Sequence, residues 1–509
     1  MRALTDEQEQ AVSRRGEPLL LAAGAGSGKT SVLVERFVAA VRADGVAPGR
    51  ILAITFTDRA AGELRQRVRA RFLELGDREA ARDTEAAFVS TFHGFCTRLL
   101  RAQPLAAGLD PDFSILDEHL ARRLRARAFD LALGEFVAGE HPAAVELVAA
   151  YGADRLRAML DGVFAELRSR GERRPRLPAV PRQPPAPAVG EGDAADDAGS
   201  AHVAQACALL DQLLDSYGRR YEALKRERAA ADFDDLELLA RELLQTREGV
   251  RRAWSERFEL LMVDEFQDTN QRQLEILAAL ERENLFTVGD ELQSIYSFRH
   301  ADVRLFRARR REMAERGASL LLARNFRSRP ALLEAVNVVF ASRFRSGYTP
   351  LEPAREDVGE PLCSDGHEES PAPLVELLLT DRRGSQEDRG APLAGRGETP
   401  RWRRAEARLL AERVAELVSS GDARAGEVVV LLRALGDMEV YERALQERGL
   451  ATIAAAGGFW ASQQVGDLLC YLRALANPLD ELALYGTLAS PLVGLSSDAL
   501  ALLARAARR

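Results

Sequence analysis

Residues 23–30 read Ala-Gly-Ala-Gly-Ser-Gly-Lys-Thr, and their lysine is one of only two in a chain that carries sixty-eight arginines. A triphosphate is gripped by converging backbone N–H groups, by glycines that let the chain approach closely, and by a helix N-terminus behind them. Gly24, Gly26 and Gly28 meet the first two needs, and a helix starting near Lys29 meets the third. Ala23, Ala25 and Ser27 complete the ATP-binding loop. Lys29 is a compact point charge suited to the β- and γ-phosphates, whereas a planar guanidinium would not place its charge in the same cradle. Thr30 offers a hydroxyl to Mg²⁺. The strict pattern G-x-x-x-x-G-K-[ST] has Ala23 at its first position here, a departure from the general rule.

Such a loop needs a carboxylate at the end of a buried strand. The run Leu-Leu-Met-Val-Asp-Glu-Phe-Gln-Asp (260–268) provides it. Asp264 would bind Mg²⁺ through water, and Glu265 would polarise the attacking water. A lone acidic pair is an ordinary surface feature. Behind an apolar run, in a chain that already has a phosphate loop, it points to hydrolysis of ATP or GTP.

Strand-like apolar runs at 19–23, 50–57, 258–265 and 284–291, and another in Ala-Phe-Val-Ser-Thr-Phe-His-Gly-Phe (87–95), alternate with helical patterns at 31–41 and 58–75. That alternation predicts an α/β fold with a parallel sheet. From about Cys96 to Leu244 the pattern is helical. It is interrupted at 172–200 by a Pro/Ala-rich, then acidic, segment that reads as a mobile linker. A second weakly structured stretch is expected at 380–402. Glu-Val-Val-Val-Leu-Leu-Arg (427–433) reads as a buried strand of another α/β unit. The acids of Asp-Phe-Asp-Asp-Leu-Glu (232–237) read as a solvated helix cap.

The 509 residues are too many for one core, so two or more domains are expected. A net charge of −8 excludes a globally basic nucleic-acid binder and leaves local patches, such as the arginine runs at 59–72, 122–127 and 299–311. Such runs are usually solvated helix faces. The four cysteines form no C-x-x-C pair, which suggests neither zinc nor iron–sulfur chemistry. The acidic start and the lack of a long apolar run predict an intracellular, cytoplasmic protein without membrane contact.

With these residues in place the chain resembles the superfamily 1 helicases of the UvrD/Rep type. Its start, Leu-Thr-Asp-Glu-Gln-Glu-Gln-Ala-Val, resembles their adenine-reading segment, which implies that Gln8 hydrogen-bonds the adenine edge. The phosphate loop is the family's own form, Ala23 included. The segment beginning Thr55, Phe56 and Thr57 resembles the first DNA-contacting motif. Residues 90–95, with Thr91, Phe92 and His93, resemble the next, and 264–270 the metal motif. Residues 288–302, with Gln293, Tyr296, Phe298 and Arg299, resemble the motif coupling nucleotide to DNA. Asn-Phe-Arg-Ser (325–328) resembles the fourth motif, whose Arg327 would contact the γ-phosphate.

Chemistry supports these assignments beside the resemblance. Aromatic faces are sequence-tolerant stacking platforms worth about 1–3 kcal/mol per base, and Phe56, Phe92, Tyr296 and Phe298 qualify. For Phe56 and Phe92 core packing is an equal alternative. The Gln293 amide both donates and accepts, so it can bridge two sites. His93 suits a phosphate or a core hydrogen bond.

The resemblance implies RecA-like P-loop NTPase motor domains with large helical insertions, using ATP and Mg²⁺ and acting on single-stranded and duplex DNA. A first motor domain would comprise 1–100 and 231–325 around a helical insertion at 101–230. A second would start at 326–464, with helical insertion material from 465 to 509. The family resemblance implies 3′–5′ helicase action, and residues 457–500 resemble the AddA and RecB subunits of recombinational repair nucleases, which implies a role in repair and an AddB-like partner. A plain UvrD/Rep-like helicase is the alternative within the family. Outside it stand a P-loop NTPase that does not act on DNA and a non-catalytic scaffold. The family's fifth and sixth motifs are absent, so the chain is expected to be a fragment that unwinds nothing alone.

Overall fold

The structure is a computed structural model that describes residues 4–139, 142–178, 193–296, 301–344, 348–355, 375–380, 400–453 and 463–507. The five apolar runs expected as strands form β1 (Leu19–Ala23), β2 (Ile51–Thr55), β3 (Phe88–Thr91), β6 (Leu260–Val263) and β7 (Leu285–Gly289). Two short strands, β4 (Ser114–Ile115) and β5 (Ala230–Ala231), fall between β3 and β6. With β8 (Ser319–Leu322) the main strands make one parallel sheet in the order β3-β2-β6-β7-β1-β8. Registers such as Leu19 to Phe286, Ile54 to Val263 and Ala53 to Val89 bring every strand's carboxyl end to the same edge. Strands β1, β2, β6 and β7 are buried along their whole length, as a sheet covered on both faces requires. β8 escaped notice because it is a half-exposed edge strand of only four residues.

The core around the sheet runs from Ala11 to Phe113 and resumes at Ala231. Between these points a second core gathers Phe129, Leu160, Phe164 and Tyr217 from the helices Glu118–Ala138, Ala153–Ser169 and Asp193–Arg226, with Leu116 after β4 and Ala230 in β5. The parallel pair β4 and β5 closes the neck of this helical insertion. β9 (Arg324–Asn325) and β10 (Glu352–Pro353) form a further small parallel pair.

Two expectations for the insertion change. Residues 193–200 belong to the helix Asp193–Arg226 rather than to a linker. Alanine is the best helix former, and the segment holds Ala194, Ala195 and Ala198. Residues 172–178 are pinned to the same helix: Arg176 pairs with Asp211 at 2.5 Å, and the Leu177 N–H donates to the same carboxylate at 2.8 Å. The remainder of the expected linker, 179–192, lies outside the described residues.

The chain divides into one unit at Met1–Ala372 and another at Pro373–Arg509. Residues 326–355, expected to open the second motor domain, thus group with the first unit. In the second unit the helices Arg401–Ser419 and Met438–Glu447 share a small core of Ala407, Ala411, Val414, Tyr441 and Leu445. Residues 401–402, assigned above to a weakly structured stretch, start the first of these helices, while 381–399 lie outside the described residues. The strand expected at 427–433 has no ladder among the described residues. Val428, Val430 and Leu432 pack against the helical core while Val429 and Leu431 face out, so the alternation reflects an extended run laid on helices.

Candidate active site

The phosphate loop connects β1 to the helix Lys29–Arg42, whose N-cap Gly28 takes the left-handed conformation, φ 88°. Gly26 is also left-handed, φ 67°, and a Cβ there would lie 2.7 Å from Arg327 Cβ and 2.9 Å from Asn325 Nδ2. At Gly28 a Cβ would lie 2.7 Å from Gln8 Nε2. Gly26 therefore excludes a side chain on conformational and on steric grounds, and Gly28 on conformational grounds. Gly26, Ser27, Gly28, Lys29, Thr30, Ser31, Arg67, Phe326 and Arg327 line a cavity of about 300 Å³. The loop and the Arg327 motif, some 300 residues apart in sequence, meet here.

Asparagine sets that meeting. Asn325 Nδ2 donates to the Ala25 carbonyl at 2.6 Å, and its Oδ1 accepts from the N–H groups of Arg327 and Ser328 at 2.9 and 2.8 Å. The Phe326 N–H donates to the Gly26 carbonyl at 2.9 Å. Gln8 braces the other side. Its Oε1 accepts from the Thr5 N–H at 3.0 Å and its Nε2 donates to the Ser27 carbonyl at 2.8 Å, and it lines a smaller cavity of about 100 Å³ with Phe326. Ala23, Gly24 and Ala25 line a third cavity of about 230 Å³, which also receives Gln293. Gln293 donates to Asp290 at 2.8 Å.

Lys29, which lines the cavity, has its Nζ 3.2 Å from Glu265 Oε2. Glu265 itself sits in the left-handed region, φ 51°, immediately after β6. A non-glycine residue held there indicates local strain. Gln267, fully buried, donates to Glu265 Oε2 at 2.7 Å and accepts from the Asp290 N–H at 2.9 Å, joining the ends of β6 and β7. The Asp264 carboxyl is pushed up to about 6, mainly by burial and then by Glu265, with Lys29 opposing. Asp268 is also pushed up to about 6, by burial and Glu265. These are acids short of positive charge. The Thr30 hydroxyl and the Asp264 carboxylate are hard oxygen donors, and together with the glycine cradle they fit a divalent cation bound with a polyphosphate.

The carboxyl ends of β2 and β3, on the same edge of the sheet, lead into the expected DNA residues. The rings of Phe56 and Tyr296 stack with centroids 4.5 Å apart and planes at 27°. Thr55 is buried at the end of β2. Thr57 caps the helix Asp58–Glu74, and Thr91 caps Phe92–Ala102 while donating to Asp58 at 3.2 Å. Phe92 is 8 % exposed and belongs to the sheet's core, the alternative left open by the sequence, so it supplies no platform. His93 Nε2 lies 3.4 Å from Glu237. Phe298 and Arg299 lie outside the described residues. Most described arginines of the three runs meet carboxylates: Arg71 with Glu35, Arg125 with Glu118, Arg307 and Arg310 with Glu291, and Arg309 with Glu281.

A family model described as the UvrD/REP helicase N-terminal domain matches residues 4–314, more than half of the chain. The chain belongs to the UvrD/Rep helicase family. A UvrD-like helicase C-terminal domain model matches residues 320–508. The chain is 30% identical over 519 residues to the ATP-dependent DNA helicase UvrD1 of Mycobacterium tuberculosis, covering 98% of this chain and 56% of the relative. To the ATP-dependent DNA helicase PcrA of Leuconostoc citreum it is 28% identical, covering 99% and 57%. To an ATP-dependent helicase/nuclease subunit of Bacillus pumilus it is 26% identical, covering 98% and 53%. The chain thus spans a little over half the length of the curated relatives it matches.

This UvrD/Rep chain has site residues that sequence reasoning did not single out. Asn325 and Gln267 are buried amides whose role appears only when distant loops meet. Arg67 lines the phosphate cavity from a run that read as a solvated face. Phe233, 46 % exposed, places its ring edge-on to His93 at 5.3 Å. An aromatic among the acids of 232–237 was its only available signal.

Proposed function

We propose that the protein is an ATP-driven DNA helicase that moves 3′ to 5′ along single-stranded DNA, opens duplex DNA and serves repair and recombination in the cytoplasm. The observation that carries this reading is a shared edge. The phosphate cradle and the Phe56–Tyr296 stack stand at the carboxyl ends of one parallel sheet, joined by the Glu265–Gln267–Asp290 hydrogen bonds. In open α/β sheets ligands bind at that edge.

In this mechanism Thr30 and Asp264 would hold Mg²⁺, which would supply positive charge to offset the phosphates. Lys29 exchanges Glu265 for the β- and γ-phosphates, and the released Glu265 orients the attacking water. Arg327 reaches the γ-phosphate from the segment that Asn325 clamps to the loop. Gln8 and Phe326 border the space for the base. Phe56, Tyr296 and Phe233 offer faces to successive bases, and Gln293 stands between the nucleotide and DNA sides. The likeness to a helicase/nuclease protein supports a role beside a second, AddB-like partner, whereas the likeness to UvrD1 and PcrA supports a helicase acting without a nuclease. A P-loop enzyme of small molecules leaves the aromatic stack unexplained.

The test is ATP hydrolysis by the full-length protein with and without single-stranded DNA. Stimulation by DNA, lost in Lys29→Ala, is expected. An equal rate under both conditions refutes the motor reading.

A further inference from the structure

A cluster of buried charge joins the insertion to the motor core, away from the nucleotide cavity. Arg168 donates to Asp232 at 3.2 Å and Asp235 at 2.7 Å, and Lys225, the chain's second lysine, pairs with the same two carboxylates. Asp232 and Asp235 form a capping box for the helix Phe233–Thr246, as the sequence suggests, but they are buried rather than solvated. Burial opposes ionisation of Asp232, yet Arg168 and Lys225 outweigh it and hold the acid well below its ordinary range. Arg272, on the helix Gln271–Leu280, donates to the Arg168 carbonyl at 3.1 Å and to Asp234 at 2.9 Å.

Glu237 stands at the centre, with 1 % of its side chain exposed. Its Oε1 faces Gln273 Nε2 at 2.6 Å and His93 Nε2 at 3.4 Å. Its Oε2 faces Asn270 Nδ2 at 3.2 Å and Arg272 Nη2 at 3.0 Å. Asn270 and Gln273 form the capping box that starts the helix directly after Asp268 and Thr269. One carboxylate therefore separates His93, on the DNA-facing edge, from the loop that carries Asp264, Glu265 and Asp268. The contacts to Asn270, Gln273 and Arg272 are held by helices around a dry carboxylate, while His93, 41 % exposed, is the partner open to a ligand. Stability alone does not call for such a group, since apolar replacements of buried ion pairs often fold as well.

We propose that Glu237 is a positioning residue that couples the strand-facing edge at His93 to the carboxylate loop, with Arg272 and Asp234 extending the coupling to the insertion through Arg168. This rests on the helicase reading. A ligand that draws His93 away from Oε1 shifts the balance at Gln273 and Asn270, and with it the start of the helix behind Asp268.

The experiment uses the full-length protein and an oligodeoxythymidylate. In Glu237→Gln the DNA-free ATP turnover is expected within about twofold of wild type, while DNA stimulation falls at least about fivefold, the low end of a coupling energy. Binding of a labelled oligonucleotide stays within about threefold. His93→Gln also lowers stimulation, and adding it to Glu237→Gln changes nothing further, whereas two independent structural roles would add. Glu237→Asp keeps the charge but shortens the reach to His93, and serves if the glutamine variant does not fold. Wild-type stimulation in the folded variants, or additive effects, overturns the coupling. A wild-type protein that DNA does not stimulate overturns instead the helicase reading beneath it.

Discussion

Gly26→Ala isolates the loop geometry. The residue sits at φ 67°, and a methyl group there would press on Arg327 Cβ at 2.7 Å and on both side-chain heteroatoms of Asn325 at 2.9 and 3.0 Å. The left-handed conformation costs an L-residue about 1–2 kcal/mol. Moving Asn325 aside breaks its 2.6 Å bond to the Ala25 carbonyl, a further loss of about 1 kcal/mol. Without nucleotide the loop can relieve this strain by parting from residues 325–328, so most of the cost falls on binding, which must restore the cradle. A penalty of about 2–3 kcal/mol corresponds to a loss of about 30- to 140-fold in ATP affinity. The assay is a titration with a fluorescent ATP analogue, with thermal unfolding run in parallel. Gly45→Ala is the control, because Gly45 has φ 72° but a methyl group there would meet nothing within 4 Å. It should lose about 1 kcal/mol of stability with unchanged affinity. Affinity of Gly26→Ala within about threefold of wild type, at unchanged stability, would refute the steric account.

Other substitutions test other parts. Lys29→Arg should bind ATP no better than Lys29→Ala in the same titration, because a guanidinium keeps the charge but not the compact head. Phe95→Ala removes a fully buried ring packed against Trp254 and Phe258, and chemical denaturation should show a loss of about 3–5 kcal/mol. Gly62→Ala, in the interior of the helix Asp58–Glu74 with open space around it, should gain about 0.5–1 kcal/mol by the same measurement. The folded-state value of Asp264 lies above its unfolded one, so the folded chain takes up a proton first as pH falls. In a metal chelator, stability should therefore rise from pH 7 towards pH 5, by about 1–2 kcal/mol, and the rise should shrink in Asp264→Asn. Below about pH 4 the trend should reverse as acids held low by arginines, such as Asp44 beside Arg15, take up protons.

Local sequence determined what depends on short range. Apolar runs bounded by turns predicted five strands of the sheet. A glycine-spaced loop predicted the turn into the helix Lys29–Arg42, and an apolar run predicted the strand Leu260–Val263 that leads to Asp264 and Glu265. These rest on periodicity and backbone conformation, which a few neighbouring residues settle. Other roles were decided only by the tertiary structure, because they depend on which groups share a dry space. The acids of 232–237 read as a solvated cap until Arg168, Lys225 and Arg272 arrived from three other helices to neutralise them. Phe56 and Phe92 each directly follow paired strand ends, Thr55 and Thr91, yet one faces Tyr296 and the other the core, because Phe92 opens a helix packed on the sheet whereas Phe56 precedes the cap of its helix. Asn325 and Gln267 are ordinary polar residues in sequence. They became clamps because the folded sheet brings distant strand ends within hydrogen-bond reach, where a buried amide must find partners.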